Sequence, residues 1–168
     1  GDSLYLEVIS PCVSMPPPGR PRWFSLDRLG PDSPAALSAW VVRTADIRKS
    51  VAAASEPLGE IEPMSRGALK WEITIPTDGS IPVDGVGPAL IQWKTIEHPA
   101  QGLEERGLSL AELEIHHPVP ERIGRLLDSL TLEAPVSVRS TPRGSAPGLV
   151  AHIRTPLGLR HLSLFGRQ

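Results

Sequence analysis

Few side chains in this sequence could do chemistry, and one of them stands in an unusual setting. Glu7 interrupts the apolar run Leu4-Tyr5-Leu6-Glu7-Val8-Ile9. Burying a carboxylate is costly unless it binds a cation, pairs with a base or is hydrogen-bonded. Glu7 is therefore read either as a metal ligand or as an exposed or ion-paired glutamate. As a ligand it would help a divalent ion act as a Lewis acid on neighbouring substrate oxygens, while a second carboxylate moved a proton. Ser65-Arg66 precedes another strand-like run, and Arg66 is placed to aim a guanidinium into the hollow of a sheet. There it would grip a carboxylate or phosphate through two parallel hydrogen bonds; a plain turn arginine is the alternative. Trp71 and Trp93 either pack together in a core or line a pocket.

Glu112, Glu114 and His116 lie at i, i+2 and i+4, so a regular strand would project all three from one face, as a metal site requires. Leu113 and Ile115 make the opposite face apolar, however, and a sheet with one wet side gives the same alternation; that is the reading preferred here. His117, beside Pro118, reads as a helix-start residue. His98, His152 and His161 have no partner at ligand spacing and read as structural or exposed. Cys12 is the single cysteine, which excludes a disulfide within the chain and a multi-cysteine zinc site. With nothing to argue for an oxidising compartment, a cytoplasmic location is expected. Phosphate loop, nucleophile elbow and His-Glu-x-x-His zinc helix are all missing from the sequence.

The elements that must position these residues are short. Nineteen prolines and 15 glycines in 168 residues imply many turns, while 40% hydrophobic and 21% charged residues describe a globular chain. A net charge of −2 with scattered arginines offers no field for a polyanion, so nucleic acid is not an expected partner. No apolar run approaches the roughly 20 residues that span a bilayer, so no membrane partner is expected either. The run at 4–9 is strand-like and ends at Pro11. Residues 11–36 form a Pro-rich linker in which Trp23 and Phe24 are expected to pin the chain to a core. A strand is expected over 37–44, a helix over 47–55 capped by Asp46, a strand over 69–75 with period-2 alternation, a turn at 76–79 and a strand over 89–94. The order then recurs. A strand over 108–115 leads to a helix with Pro120 in its first turn and Ile123, Leu126, Leu127 and Leu130 on one face. Strands at 136–138, 149–154 and 159–165 follow, with a turn at 155–158. The opening strands of the two copies start about 70 residues apart.

The reading is therefore α+β, with tandem βαβββ units forming curved, mainly antiparallel sheets and helices packed on their outer faces. Residues 1–10 are expected as the closing strand of an incomplete, N-terminally truncated first unit, 11–36 as a crossover linker, 37–96 as a second unit and 107–166 as a third, together one domain. A start at Gly1, directly into that strand, suggests a beginning cut from something longer. Unpaired sheet edges there would favour strand exchange or edge pairing in a homodimer.

Tandem βαβββ units are the plan of the vicinal oxygen chelate superfamily. The strand at 3–9, the Gly19-Arg20-Pro21-Arg22-Trp23-Phe24-Ser25-Leu26-Asp27 segment, Trp40-Val41-Val42-Arg43-Thr44-Ala45-Asp46, Leu69-Lys70-Trp71 and Leu90-Ile91-Gln92-Trp93 resemble its bacterial glyoxalase-like domain family over residues 3 to 94. The resemblance implies metal ligands on the first and last strands of each unit, facing inward. It places Glu7 at a closing-strand ligand position and Gln92 at the equivalent place of the next unit, where an amide oxygen is a weak ligand. Ala39 and Ser163 stand where a histidine and a carboxylate are usual, so a complete ligand set does not emerge. Two functions follow as expectations. One is a metal-dependent lyase, isomerase or dioxygenase acting on a small oxygenated molecule with a divalent cofactor. The other is a metal-free module that sequesters a small-molecule ligand, with Arg66, Trp71 and Trp93 lining its pocket.

Overall fold

The computed structural model describes residues 4–12, 14, 16, 18–95 and 98–163. In the first unit, β1 (Val41–Arg43) leads into α1 (Ile47–Ala53), whose first turn is capped by the Asp46 carboxylate accepting from the Lys49 amide at 3.0 Å. Next come β2 (Glu60–Arg66), β3 (Leu69–Ile75), the single turn α2 (Pro82–Gly85) and β4 (Ala89–Trp93). The β2 strand has no counterpart among the strands read from sequence, because Pro63 in its middle argues against a ladder position. Its place explains the exception: in the order β1-β4-β3-β2 it is an edge strand, where a proline leaves no ladder bond unmade on the open side. The opening strand is also shorter than expected, with residues 37–40 outside it.

The second unit runs β5 (Ser109–His117), α3 (Pro120–Ser129), β6 (Val136–Ser140), β7 (Gly148–Thr155) and β8 (Gly158–Ser163). Element order repeats, but strand order does not: the second sheet reads β6-β5-β7-β8. Loop lengths account for the difference. In the first unit a two-residue connection with Gly67 at φ 59° locks β2 against β3, leaving β1 to pair in parallel with β4. In the second, the Pro- and Gly-containing loop over 141–147 is too long for a tight hairpin, and β7 crosses to the far side of β5 while β6 stays as its parallel neighbour. The fold is α+β, with two mixed, mostly antiparallel four-stranded sheets.

One continuous core draws on both units: Ile47, Leu58 and Leu90 from the first, and Leu113, Ile115, Ile123, Leu126 and Leu149 from the second. The units thus meet through their helix-bearing sides, and polar ties cross the same boundary. Arg122 of α3 grips Glu56 through two 2.8 Å hydrogen bonds and reaches Asp84 at 2.6 Å, and the Ser55 amide donates to the Ser129 hydroxyl. The other face of the first sheet, with Ile73, Ile75 and Ala89, is covered by Trp23 and Phe24 of the linker, as the sequence led one to expect. A 3-10 turn over Trp23–Arg28 presents these rings, and the Ser25 amide donating to the Gly79 carbonyl ties it down. Gly79 is required there: its φ is 70°, and a Cβ would lie 2.3 Å from the Arg22 carbonyl oxygen.

The expected strand at 4–9 is corrected. Residues 4–10 enter no ladder, and Leu6 and Val8 are 61% and 90% exposed. Extended backbone becomes a strand only beside a free edge, and this segment instead lays Tyr5 and Glu7 against side chains of the first unit and its following loop.

Candidate metal centre

The outward face of the second sheet carries a group of metal-competent side chains, the one such cluster among the described residues. Glu112 and Glu114 on β5 and His152 on β7 bring one ligand atom each into a group whose members all lie within 4.8 Å of one another. The register produces this. Glu112 is paired with His152 across the β5–β7 ladder and Glu114 with Val150, so all face the same way, opposite Leu113 and Ile115 in the core. A β-bulge between Leu110 and Glu112 makes it workable. The extra residue, Ala111, lets Leu110 pack on the core while Glu112, two positions on, faces outward; a regular strand would put both on one side.

The carboxylates are held from several directions. The Ser137 hydroxyl of β6 donates to Glu112 Oε1 at 2.5 Å, and Arg139 Nη2 lies 3.3 Å from the same atom and 3.2 Å from Glu114 Oε1. His116 Nε2 stands 2.9 Å from Glu114 Oε2. The hydrogen bond from His116, with Arg139 adding to it, keeps the Glu114 carboxyl below the usual range against the opposing effect of burial. His152 is different. Its Nε2 is buried without a hydrogen-bond partner, 3.5 Å from Glu114 Oε1, while the His161 ring meets its own edge-on at 4.6 Å.

Two carboxylate oxygens and an imidazole nitrogen suit a divalent first-row metal rather than a soft, thiolate-seeking one. Ligand bonds of about 2.0 to 2.2 Å set neighbouring donors roughly 3 to 4 Å apart, so the group needs only a small inward movement. The imidazole nitrogen of His152, which makes no hydrogen bond, is the atom such an ion would satisfy. Arg139 already supplies positive charge to both carboxylates from the β6 side. An ion would meet the group from the β7 side, where His152 stands.

The residues singled out in the sequence fall into two groups. Glu7, Arg66, Trp71 and Trp93 belong to the first unit's linker-covered face: Glu7 Oε1 lies 3.4 Å from Arg66 Nη1, and the Trp71 and Trp93 rings are 5.3 Å apart. The row continues through His98 to Tyr5. Gln92 points to the opposite, helix-bearing side. Its oxygen accepts from the Ile47 amide and its nitrogen donates to the Ala45 carbonyl, so both ends secure the start of α1 and Glu7 and Gln92 do not converge. His98 caps the turn at Pro99–Gly102, with burial and then the Arg43 charge keeping its pKa down. His117 is the last residue of β5 rather than part of α3; its Nδ1 accepts from the Val119 amide at 3.0 Å and its Nε2 lies 3.3 Å from Asp84. Cys12 is exposed and contacts the Ser14 hydroxyl.

His152 is the residue that sequence spacing missed, because its partners stand about 40 residues earlier and only the ladder joins them. The one available signal was a break in phase, where Leu110 and Leu113, three apart, both read as core.

A family model described as a glyoxalase-like domain matches residues 1–131. The chain belongs to the glyoxalase-like domain family. The match covers the linker, the whole first unit and the second unit as far as α3, which is consistent with the vicinal oxygen chelate superfamily. No curated protein and no solved structure matches the chain. In this glyoxalase-like chain, no helix among the described residues is long and apolar enough to cross a membrane. The matched span ends before β7, so Glu112 and Glu114 lie inside it and His152 outside.

Proposed function

We propose that this glyoxalase-like protein binds a divalent metal through Glu112, Glu114 and His152 and acts on a small oxygenated molecule. The observation that carries this reading is the convergence of three ligand atoms within 4.8 Å, one of them a buried nitrogen that makes no hydrogen bond. Bound there, the ion would supply Lewis acidity to two neighbouring oxygens of the substrate, the basis of lyase, isomerase or dioxygenase chemistry in this superfamily. The chain's own residues orient the carboxylates: Ser137 fixes Glu112 and His116 fixes Glu114, as outer partners of metal ligands do.

Titration calorimetry with Mn²⁺, Ni²⁺ and Zn²⁺ tests the reading. One equivalent of at least one of these ions is expected to bind, with at least tenfold weaker binding to His152→Ala. Failure of all three to bind, or equal binding by the variant, overturns it.

A metal-free binding module is the competing function, and the row Tyr5, His98, Trp93 and Trp71 with Arg66 nearby favours it. It predicts saturable, chelator-resistant quenching of tryptophan fluorescence by a small anionic or aromatic ligand, lost in Arg66→Ala.

A further inference from the structure

A shallow, open depression of about 560 Å³ lies beside the metal group, bounded by Glu112, His152, Arg154, Leu159 and Ala111. Its position follows from the bulge. Ala111 has no ladder partner, so β5 and β7 lose regular pairing where the depression lies. Arg154 is two residues beyond His152 on β7 and so projects from the same face.

The two arginines of this face are employed differently. Arg139 is committed to Glu112 and Glu114 from the β6 side. Arg154, on the depression side, enters no ion pair with another side chain among the described residues. The remaining polar candidate, the Thr155 hydroxyl, is occupied by its own turn: it donates to the Gly158 carbonyl and accepts from the Leu157 amide. The depression is thus lined by one guanidinium, one imidazole ring, one carboxylate and a short apolar wall of Ala111 and Leu159.

From this arrangement, and resting on the metal reading above, we propose that the depression takes a small 2-oxygenated carboxylic acid whose carboxylate is clamped by Arg154. A guanidinium matches a carboxylate through two parallel hydrogen bonds. Glu112, which also lines the depression, would repel an anion, and a cation held beside it turns that repulsion into attraction. The acid's carboxylate therefore lies toward Arg154 and its 2-oxygen toward Glu112 and His152. Binding of the acid requires the metal, and Arg154 selects an acid over an uncharged diol.

Glycolate, the simplest 2-hydroxy acid, is the probe. Water-proton relaxation of the Mn²⁺-loaded full chain is followed as glycolate is added, for the parent protein, Arg154→Ala and Arg154→Lys, with Mn²⁺ affinity measured alongside. Expected is a saturable relaxation change in the parent, at least tenfold weaker glycolate binding in Arg154→Ala, partial recovery in Arg154→Lys, Mn²⁺ affinity within twofold throughout, and no comparable response to ethylene glycol. Undiminished glycolate binding by Arg154→Ala with Mn²⁺ still held overturns the clamp alone. Absence of Mn²⁺ binding by the parent overturns the metal reading and the clamp with it. The side chain is exposed, and matching circular dichroism of the variants separates loss of binding from loss of fold.

Discussion

At the scale of single residues, the charge around Glu112 and Glu114 is set by Arg139, and that charge opposes a bound ion. The guanidinium is half exposed, so water screens much of its effect. Its removal is worth about 1 kcal/mol to a divalent ion a few ångströms away, roughly a fivefold gain in affinity. Arg139→Gln is accordingly expected to bind Mn²⁺ about fivefold more tightly in calorimetry, since Ser137 and His116 still orient the carboxylates. Weaker binding would show instead that Arg139 is needed to hold them. At this scale the sequence was half legible. The shared face of Glu112, Glu114 and His116 could be read from alternation, but a wet surface has the same pattern, and only His152, brought in across the ladder, separates the two. Glu7 looked costly in an apolar run because that run was expected to be buried; outside any ladder, its partner is the surface residue Arg66.

Among the elements, α1 is tied to its sheet by one carboxylate in addition to Gln92 and the Ile47 packing. Arg48 of α1 and Lys94 beyond β4 converge on Glu72 of β3, and their hydrogen bonds, that of Arg48 foremost, bring its pKa from 4.5 to about 2. A carboxyl whose folded pKa is depressed stabilises the fold above its unfolded pKa and loses that contribution as pH falls through the folded one. The Glu72 contribution is thus complete near neutrality and disappears between pH 4.5 and about 2. Urea unfolding of the parent and Glu72→Gln should give midpoints that differ near neutral pH and converge at the acid end of that window; a constant gap would refute the assignment. Elements with a local signal were legible: the Asp46 cap, the amphipathic α3 and the turn at 155–158. The β2 strand was not, because its proline is tolerable only at an edge, and edges are a property of the sheet.

For the whole molecule, the repeat of element order was legible and the arrangement of strands was not, because that arrangement depends on which loop is too long to be a hairpin. The junction between the units is where the sequence said least. Arg122 joins α3 to Glu56 and Asp84 of the other unit while only partly exposed. Breaking a bidentate, charge-assisted pair of this kind costs about 2 kcal/mol. Arg122→Ala is expected to lower stability by that amount in urea unfolding, and an unchanged midpoint would show that the apolar core alone holds the units together.

The bulge at Ala111 bears on more than the depression beside it. A strand is a text read in words of two letters, and one inserted letter changes the side on which every earlier word is written. Here the insertion keeps Leu110 dry while Glu112 and Glu114 stay wet. Deleting that one alanine would leave composition almost untouched, yet would force either the leucine upstream or the acids downstream onto the wrong surface. The smallest step between a plain sheet and a ligand-bearing one is, in this molecule, a single codon.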